Sequence, residues 1–188
     1  MPLKIMPKNK PSSKFIILDR DGTIIEDRGY IHKIKDMKFL PGAVRGLKKL
    51  QNAGFRFIII TNQAGLARGI YNHAQFNIFN QELIKRLGTK NIKIEKTYYC
   101  PHHPEFTRSC RCRKPKKGMV LQAAKEFGFN ISKCVYIGDK DSDMELGKNC
   151  KGITVLIENS QYPNRIQPDY KAKNLYHAFK VLAKTRVI

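Results

Sequence analysis

Negative charge is what this chain has least of: 15 Asp and Glu stand against 36 Lys and Arg, a formal net charge of +21 over 188 residues. Such an excess suits partners that carry phosphate or another anion, whether nucleic acid, a membrane surface or phosphorylated small molecules. Long apolar runs are also missing, since no stretch approaches the roughly 18 consecutive apolar residues of a membrane helix. The opening MPLKIMPKNKPSSK holds lysines and prolines but no apolar centre. It reads as a flexible basic arm over 1–13 rather than a secretory signal, which places the protein in the cytoplasm. There is no tryptophan, no internal repeat and no GxxxxGK[ST] nucleotide loop. Cysteine is sparse, five in all. Cys134, inside the apolar run KCVYIGD, and Cys150, after a helical stretch, read as reduced thiols rather than disulfide partners.

What remains is an ordinary globular composition, 41% hydrophobic and 10% aromatic, enough for one well-cored domain over 14–188. The few acids are unevenly spread. Eight of the fifteen fall in two windows, Asp19, Asp21, Glu26 and Asp27, then Asp139, Asp141, Asp143 and Glu145. In so basic a chain, acids gathered in two places imply a site that needs them, and a hard cation is the usual reason.

Short β-branched runs alternate with amphipathic ones. KFIILD (14–19), FRFIIIT (55–61), KTYYC (96–100), KCVYIGD (133–139) and ITVLIE (153–158) have the length of buried parallel strands. Helices are predicted over 41–53, opened by Pro41 with Val44, Leu47 and Leu50 on one face, and over 73–87 and 117–127, ended by Gly88 and Gly128. The alternation predicts an α/β fold, a Rossmann-like parallel sheet with helices on both faces. In such sheets the chemistry gathers beyond the C-terminal strand ends.

Four motifs sit at those ends. LDRDGT puts Asp19 and Asp21 two residues apart after a strand, with Gly22 allowing the turn that brings them together. One carboxylate can attack phosphorus while the other manages the proton of the departing oxygen. A carboxylate nucleophile and an anionic phosphate repel, so a cation is needed. Asp139 of GDKDSD completes a Mg²⁺ site with Asp19 and a backbone carbonyl near Asp21. Thr61 offers a hydroxyl to phosphate and Lys114 a point charge.

DRDGT, TNQ, a lysine after a loop, and GDKDSD, in that order, resemble the four motifs of the haloacid dehalogenase (HAD) superfamily of phosphatases, over roughly 14–158. The resemblance implies that Asp19 forms an aspartyl-phosphate, that Asp21 is the general acid/base, that Thr61 and Lys114 hold the phosphoryl group, and that Asp143 supports the Mg²⁺ held at Asp139. DRGYIH, TNQAGLARG, CPHHP, CRCRKP and GDK narrow the resemblance to the heptose 1,7-bisphosphate 7-phosphatase family, which serves nucleotide-heptose formation for lipopolysaccharide or S-layer glycans. The histidinol phosphatases are its near relatives. This branch implies a phosphorylated sugar as partner, bordered by Asp27, Gly29, Tyr30, Asn62, Gln63, Arg113 and Lys140.

Cys100-x-His102 followed by Cys110-x-Cys112 is a Cys₃His set, a combination known for structural Zn²⁺. The family resemblance favours His102 over His103 as the fourth ligand. With all four positions filled by protein, such a site is structural, a clasp on the loop 100–115 that aims Arg113 and Lys114 at phosphate. No large cap domain is expected. A nucleic-acid grip on the basic loop is disfavoured, because only Phe106 is placed there for base stacking. A monomer without nucleic-acid or membrane partners is expected; histidinol phosphate and nucleic-acid 3′-phosphates remain the alternative substrates, and a basic nucleic-acid-binding module the non-catalytic one.

Overall fold

The run KFIIL forms β1 (Lys14–Leu18), fully buried after its first residue, at the centre of a six-stranded sheet in the computed structural model, which describes residues 14–185. The other strands are β2 (Phe55–Asn62), β3 (Ile94–Cys100), β4 (Val135–Gly138), β5 (Ile153–Ile157) and β6 (Tyr170–Ala172). Their order is β3-β2-β1-β4-β5-β6, and every pairing is parallel. The chain therefore builds outward from β1 to β3, then returns to β1's other edge to start β4. That reversal opens a crevice beyond the ends of β1 and β4, the switch point where ligands bind in open parallel sheets.

Alternate residues of each strand feed two cores. Ile16, Leu18, Phe57, Ile59, Val135 and Ile137 join α1 (Ala43–Asn52), α3 (His73–Gly88) and α6 (Leu175–Lys184) on one face. Phe15, Ile17, Ile58, Ile60 and Tyr136 meet α4 (Gly118–Phe127) and α5 (Asp141–Asn149) on the other. A one-turn α2 (Ala64–Ala67) follows β2. Among the described residues no large cap interrupts the sheet; residues 101–117, between β3 and α4, carry no regular structure. None of the described helices is long and apolar enough to cross a membrane. The proposed arm over 1–13 lies outside the described residues.

Several boundaries differ from the sequence expectation. Helix α1 begins at Ala43 with Gly42 as its N-cap, so Pro41 stands before the helix rather than in its first turn. Gly128 is a left-handed C-cap as expected, but Gly88 lies inside α3, which is capped at Thr89. Strand β6 and helix α6 were not anticipated. A three-residue strand has no readable period, whereas α6 had a signal: Asn174 accepts from the His177 N–H at the N-cap, ahead of buried Leu175, Ala178 and Leu182.

Candidate active site

Asp19 extends β1 by one residue, its N–H donating to Ile137 O of β4 at 2.9 Å. Its Oδ1 accepts from the Arg20 N–H at 2.7 Å and pairs with Lys114 Nζ at 2.8 Å, and both contacts leave Oδ2 free. Gly22 then turns the chain with φ +82, and a Cβ there would fall 2.1 Å from Asp139 Oδ2. Only glycine lets β1's end lie this close to β4's. Asp21 lines the same cleft but is tethered elsewhere. Arg20 donates through Nε and Nη2 to its two oxygens, each at 2.9 Å, and Gln63 Nε2 donates to Oδ2 at 2.9 Å. Arg20 is wholly buried, with its guanidinium 4.9 and 5.4 Å from the rings of Phe79 and Phe76.

Asp19, Asp139 and Asp143 each offer a carboxylate oxygen within 4.8 Å of the others, all three buried. Lys114, 5% exposed, sits among them with Nζ 2.6 Å from Asp143 Oδ1. Burial, reinforced by Asp19, raises the Asp139 carboxyl to about 8; burial and Asp19 also raise Asp143, which Lys114 opposes, to about 6. Burial alone would lower the Lys114 ammonium, but the carboxylates Asp143 and Asp19 outweigh it and hold it protonated. Asp139 Oδ1 is buried without a partner. Three crowded carboxylates, one orphaned oxygen and a single intervening ammonium are short of positive charge. An oxygen-seeking divalent cation such as Mg²⁺ fits that deficit.

A cleft of about 390 Å³ opens above this cluster and is lined by Asp19, Asp21, Asp27, Gly29, Tyr30, Thr61, Asn62, Gln63, Arg113, Lys114 and Lys140. Every residue that the sequence suggested for phosphoryl or substrate contact therefore borders one space, while Asp139 and Asp143 lie beneath it. Asn62 grips the Lys114 backbone in both directions, accepting from its N–H at 2.9 Å and donating to its carbonyl at 3.2 Å. That pair fixes the lysine to the end of β2. Thr61 Oγ1 accepts from Gln63 Nε2 at 2.8 Å. Asp27 is more occupied than its sequence position suggested. Its Oδ2 takes both Lys140 Nζ at 2.8 Å and the Tyr162 hydroxyl at 2.7 Å, and its Oδ1 takes the Gly29 N–H at 2.9 Å. Burial opposes ionisation there, but the Lys140 contact prevails and holds the Asp27 carboxyl below its ordinary range.

The cysteine loop gathers as its spacing suggested. The donor atoms of Cys100, His102, Cys110 and Cys112 all lie within 4.8 Å of one another. Cys100 Sγ is 3.1 Å from Cys112 Sγ and 3.7 Å from Cys110 Sγ, and His102 Nδ1 is 3.2 Å from Cys112 Sγ. A tetrahedral zinc with Zn–S near 2.3 Å sets sulfurs about 3.8 Å apart, so the cluster has the size such an ion needs. All three thiols are free of disulfides. His103 turns to its own loop, its Nδ1 accepting from the Glu105 N–H at 3.3 Å. Arg113 donates to His102 O at 2.9 Å, which ties a cleft residue to the cluster's backbone.

A family profile described as polynucleotide kinase 3 phosphatase matches residues 14–181. The D-glycero-beta-D-manno-heptose-1,7-bisphosphate 7-phosphatase of Photorhabdus laumondii is 37% identical over 155 residues, 79% of this chain and 82% of that protein. The D-glycero-alpha-D-manno-heptose-1,7-bisphosphate 7-phosphatase of the same organism is 39% identical over 140 residues, 72% of this chain and 76% of that protein. The chain belongs to the heptose-1,7-bisphosphate 7-phosphatase family. It also overlays the D,D-heptose 1,7-bisphosphate phosphatase of B. bronchiseptica, solved with magnesium and phosphate, at a TM-score of 0.80 and 25% identity, covering 92% of this chain and 99% of that one.

Four residues that line this heptose-phosphatase-like cleft or hold the residues that do escaped the sequence reading. Arg20 stood in plain view between Asp19 and Asp21, but nothing local shows that its guanidinium turns inward. Tyr71, buried, donates its hydroxyl to Gln63 Oε1 at 2.6 Å. Asn159 donates to Asp139 Oδ2 at 2.9 Å, and Tyr162 borders the cleft. The last two lie beyond β5 and arrive through packing that no local pattern encodes.

Proposed function

We propose that the protein is a Mg²⁺-dependent phosphatase that removes the C7 phosphate of D-glycero-D-manno-heptose 1,7-bisphosphate through an aspartyl-phosphate, in the cytoplasm, as a step toward nucleotide-activated heptose. The observation that carries this reading is the Asp19 carboxylate, held at Oδ1 by Arg20 N–H and Lys114 and free at Oδ2, on the floor of a cleft bordered by all the expected phosphoryl-binding residues. The names of the 37–39% identical relatives supply the sugar.

In this reading Asp19 Oδ2 forms a bond to phosphorus as the P–O7 bond breaks, and Asp21 gives the departing O7 its proton. A water then attacks the aspartyl-phosphate, Asp21 takes the water's proton, and inorganic phosphate leaves with Asp19 restored. Both Asp21 oxygens are engaged by Arg20 and one by Gln63, so either transfer requires an exchange of these contacts. Thr61 Oγ1 and Lys114 Nζ hold the phosphoryl oxygens in line with the nucleophile. Asp19, Asp139 and the Asp21 backbone carbonyl, backed by Asp143, would hold Mg²⁺, which supplies the positive charge that lets a carboxylate meet a phosphate. Arg113, Asn62, Gln63, Tyr30, Gly29 and the Asp27–Lys140 pair border the sugar. Cys100, His102, Cys110 and Cys112 would hold a structural Zn²⁺ that fixes the loop.

One second reading has its own support. The polynucleotide phosphatase profile and the +21 charge favour a nucleic-acid 3′-phosphate. Phosphate release from α- and β-heptose 1,7-bisphosphate, histidinol phosphate and a 3′-phosphorylated oligonucleotide separates the readings. The heptose bisphosphates should give the highest kcat/KM. A preference for the oligonucleotide, lost steeply as salt rises, would overturn the proposal.

A further inference from the structure

We infer that Asn159 is a positioning residue for the metal-binding carboxylate of Asp139, which makes the segment beyond β5 a working part of the site. The inference rests on the Mg²⁺ assignment above. Asn159 lies two positions past the end of β5, and its Nδ2 donates to Asp139 Oδ2 at 2.9 Å. Asp139 has no exposure, and its Oδ1 has no partner among the described residues. On the side of Gly22 there is no spare room, since even a methyl group would come within 2.1 Å of Oδ2. One carboxylate oxygen is thus wedged between the Gly22 backbone and the Asn159 amide. The other has no partner among the described residues, and Asp139 belongs to the buried carboxylate cluster that would hold a cation.

The amide cannot serve equally well turned around. Asn159 Oδ1 accepts from the Gln161 N–H at 3.0 Å, so the carboxamide's oxygen is engaged and its nitrogen must face Asp139. The segment is itself fastened at two further points. Asp141 accepts from the N–H groups of Arg165 and Ile166 at 2.9 to 3.0 Å, and Tyr162 donates to Asp27 at 2.7 Å. A neutral donor also suits the task chemically. It holds a carboxylate oxygen without bringing a positive charge that would compete with Mg²⁺, as a lysine at this distance would. Groups that hydrogen-bond a ligating carboxylate fix its orientation, and their removal typically costs 10- to 100-fold in metal affinity.

A purely structural account treats Asn159 as a turn residue whose oxygen closes a loop onto Gln161. Asn159→Ser separates the two accounts: a serine hydroxyl can still accept from the Gln161 N–H but is too short to reach Asp139. Asn159→Ala removes both contacts. Mg²⁺ binding to the zinc-loaded protein, measured by titration calorimetry without substrate, should weaken about 10- to 100-fold in both variants. Turnover of Asn159→Ser should recover toward wild type as Mg²⁺ is raised to saturation. A Mg²⁺ dissociation constant for Asn159→Ser within 3-fold of wild type would overturn the inference, whatever Asn159→Ala does and even if melting temperatures fall. No detectable Mg²⁺ binding by the wild type would bring down both the inference and the metal assignment beneath it. Loss of Mg²⁺ affinity in the variants supports the inference whichever phosphate ester proves to be the substrate.

Discussion

Replacing Lys114 by methionine keeps most of the side chain's length and removes only its charge. Lys114 Nζ lies 2.8 Å from Asp19 Oδ1 and 2.6 Å from Asp143 Oδ1, with the side chain 3% exposed. Deleting one partner from a buried ion pair costs roughly 3–5 kcal/mol, because the remaining charges stay desolvated and uncompensated. A domain of this size loses about 2–4 °C of melting temperature per kcal/mol, so Mg²⁺-free Lys114→Met should melt about 6–20 °C below wild type. Mg²⁺ should then do part of the lysine's work. A ligand at 100 times its dissociation constant stabilises by about 2.7 kcal/mol, and the more acidic variant cluster should bind the ion more tightly than wild type does. Differential scanning fluorimetry with and without Mg²⁺ reads both effects, while turnover stays low at every Mg²⁺ concentration because the phosphoryl oxygens lose their ammonium. A variant that melts within 3 °C of wild type in Mg²⁺-free buffer, or that gains less from Mg²⁺ than wild type, would refute the reasoning.

Asp19→Asn should fold normally yet lose orders of magnitude in turnover, since an amide cannot form the acyl phosphate; a variant keeping a tenth of the wild-type rate would contradict the mechanism. Elemental analysis of active protein should find one zinc per chain, and brief chelation should be reversed by Mg²⁺ alone, because three thiolates release zinc slowly while a hydrated Mg²⁺ exchanges freely. Cys112→Ser should leave the sheet intact but weaken zinc and misplace Arg113 and Lys114, cutting kcat/KM on the order of 100-fold; unimpaired hydrolysis by a zinc-free sample would remove the clasp from the argument. Gly22→Ala should destabilise by at least the 1–2 kcal/mol of a left-handed residue and displace Asp139, visible together as a lower melting temperature and a higher Mg²⁺ requirement.

Strands β1 to β5 and the DxD, TNQ and GDKDSD ends were legible because each is local: a β-branched run supplies the burial and the residues following it supply the chemistry. The Cys₃His set was legible for the same reason, as ligand spacing within one loop is a sequence property. What could not be read lies in contacts between distant positions. The Asp27–Tyr162 hydrogen bond spans 135 residues and Asn159–Asp139 joins the ends of two neighbouring strands, with no periodicity to announce either. Arg20 was hidden differently. An arginine in a turn reads as solvated, and the ring walls of Phe76 and Phe79, the Asp21 counter-charge and a hydrogen bond from Nη2 to Gln63 Oε1 at 3.1 Å explain its burial.

The sheet order has a consequence for how activity and folding are linked. Asp19 and Asp139 meet only because β1 pairs with β4 at Leu18↔Ile137, and Lys114 arrives on a loop that Asn62 anchors to β2. No short piece of the chain contains the cluster, whose members run from Asp19 to Asp143, and loop-closure entropy must be overcome across more than half the chain's length before any of it exists. Hydrolysis is therefore a reporter of the whole sheet: in denaturant, turnover should vanish no later than the global unfolding transition, and a fragment that retains helices but lacks β4 should be inert.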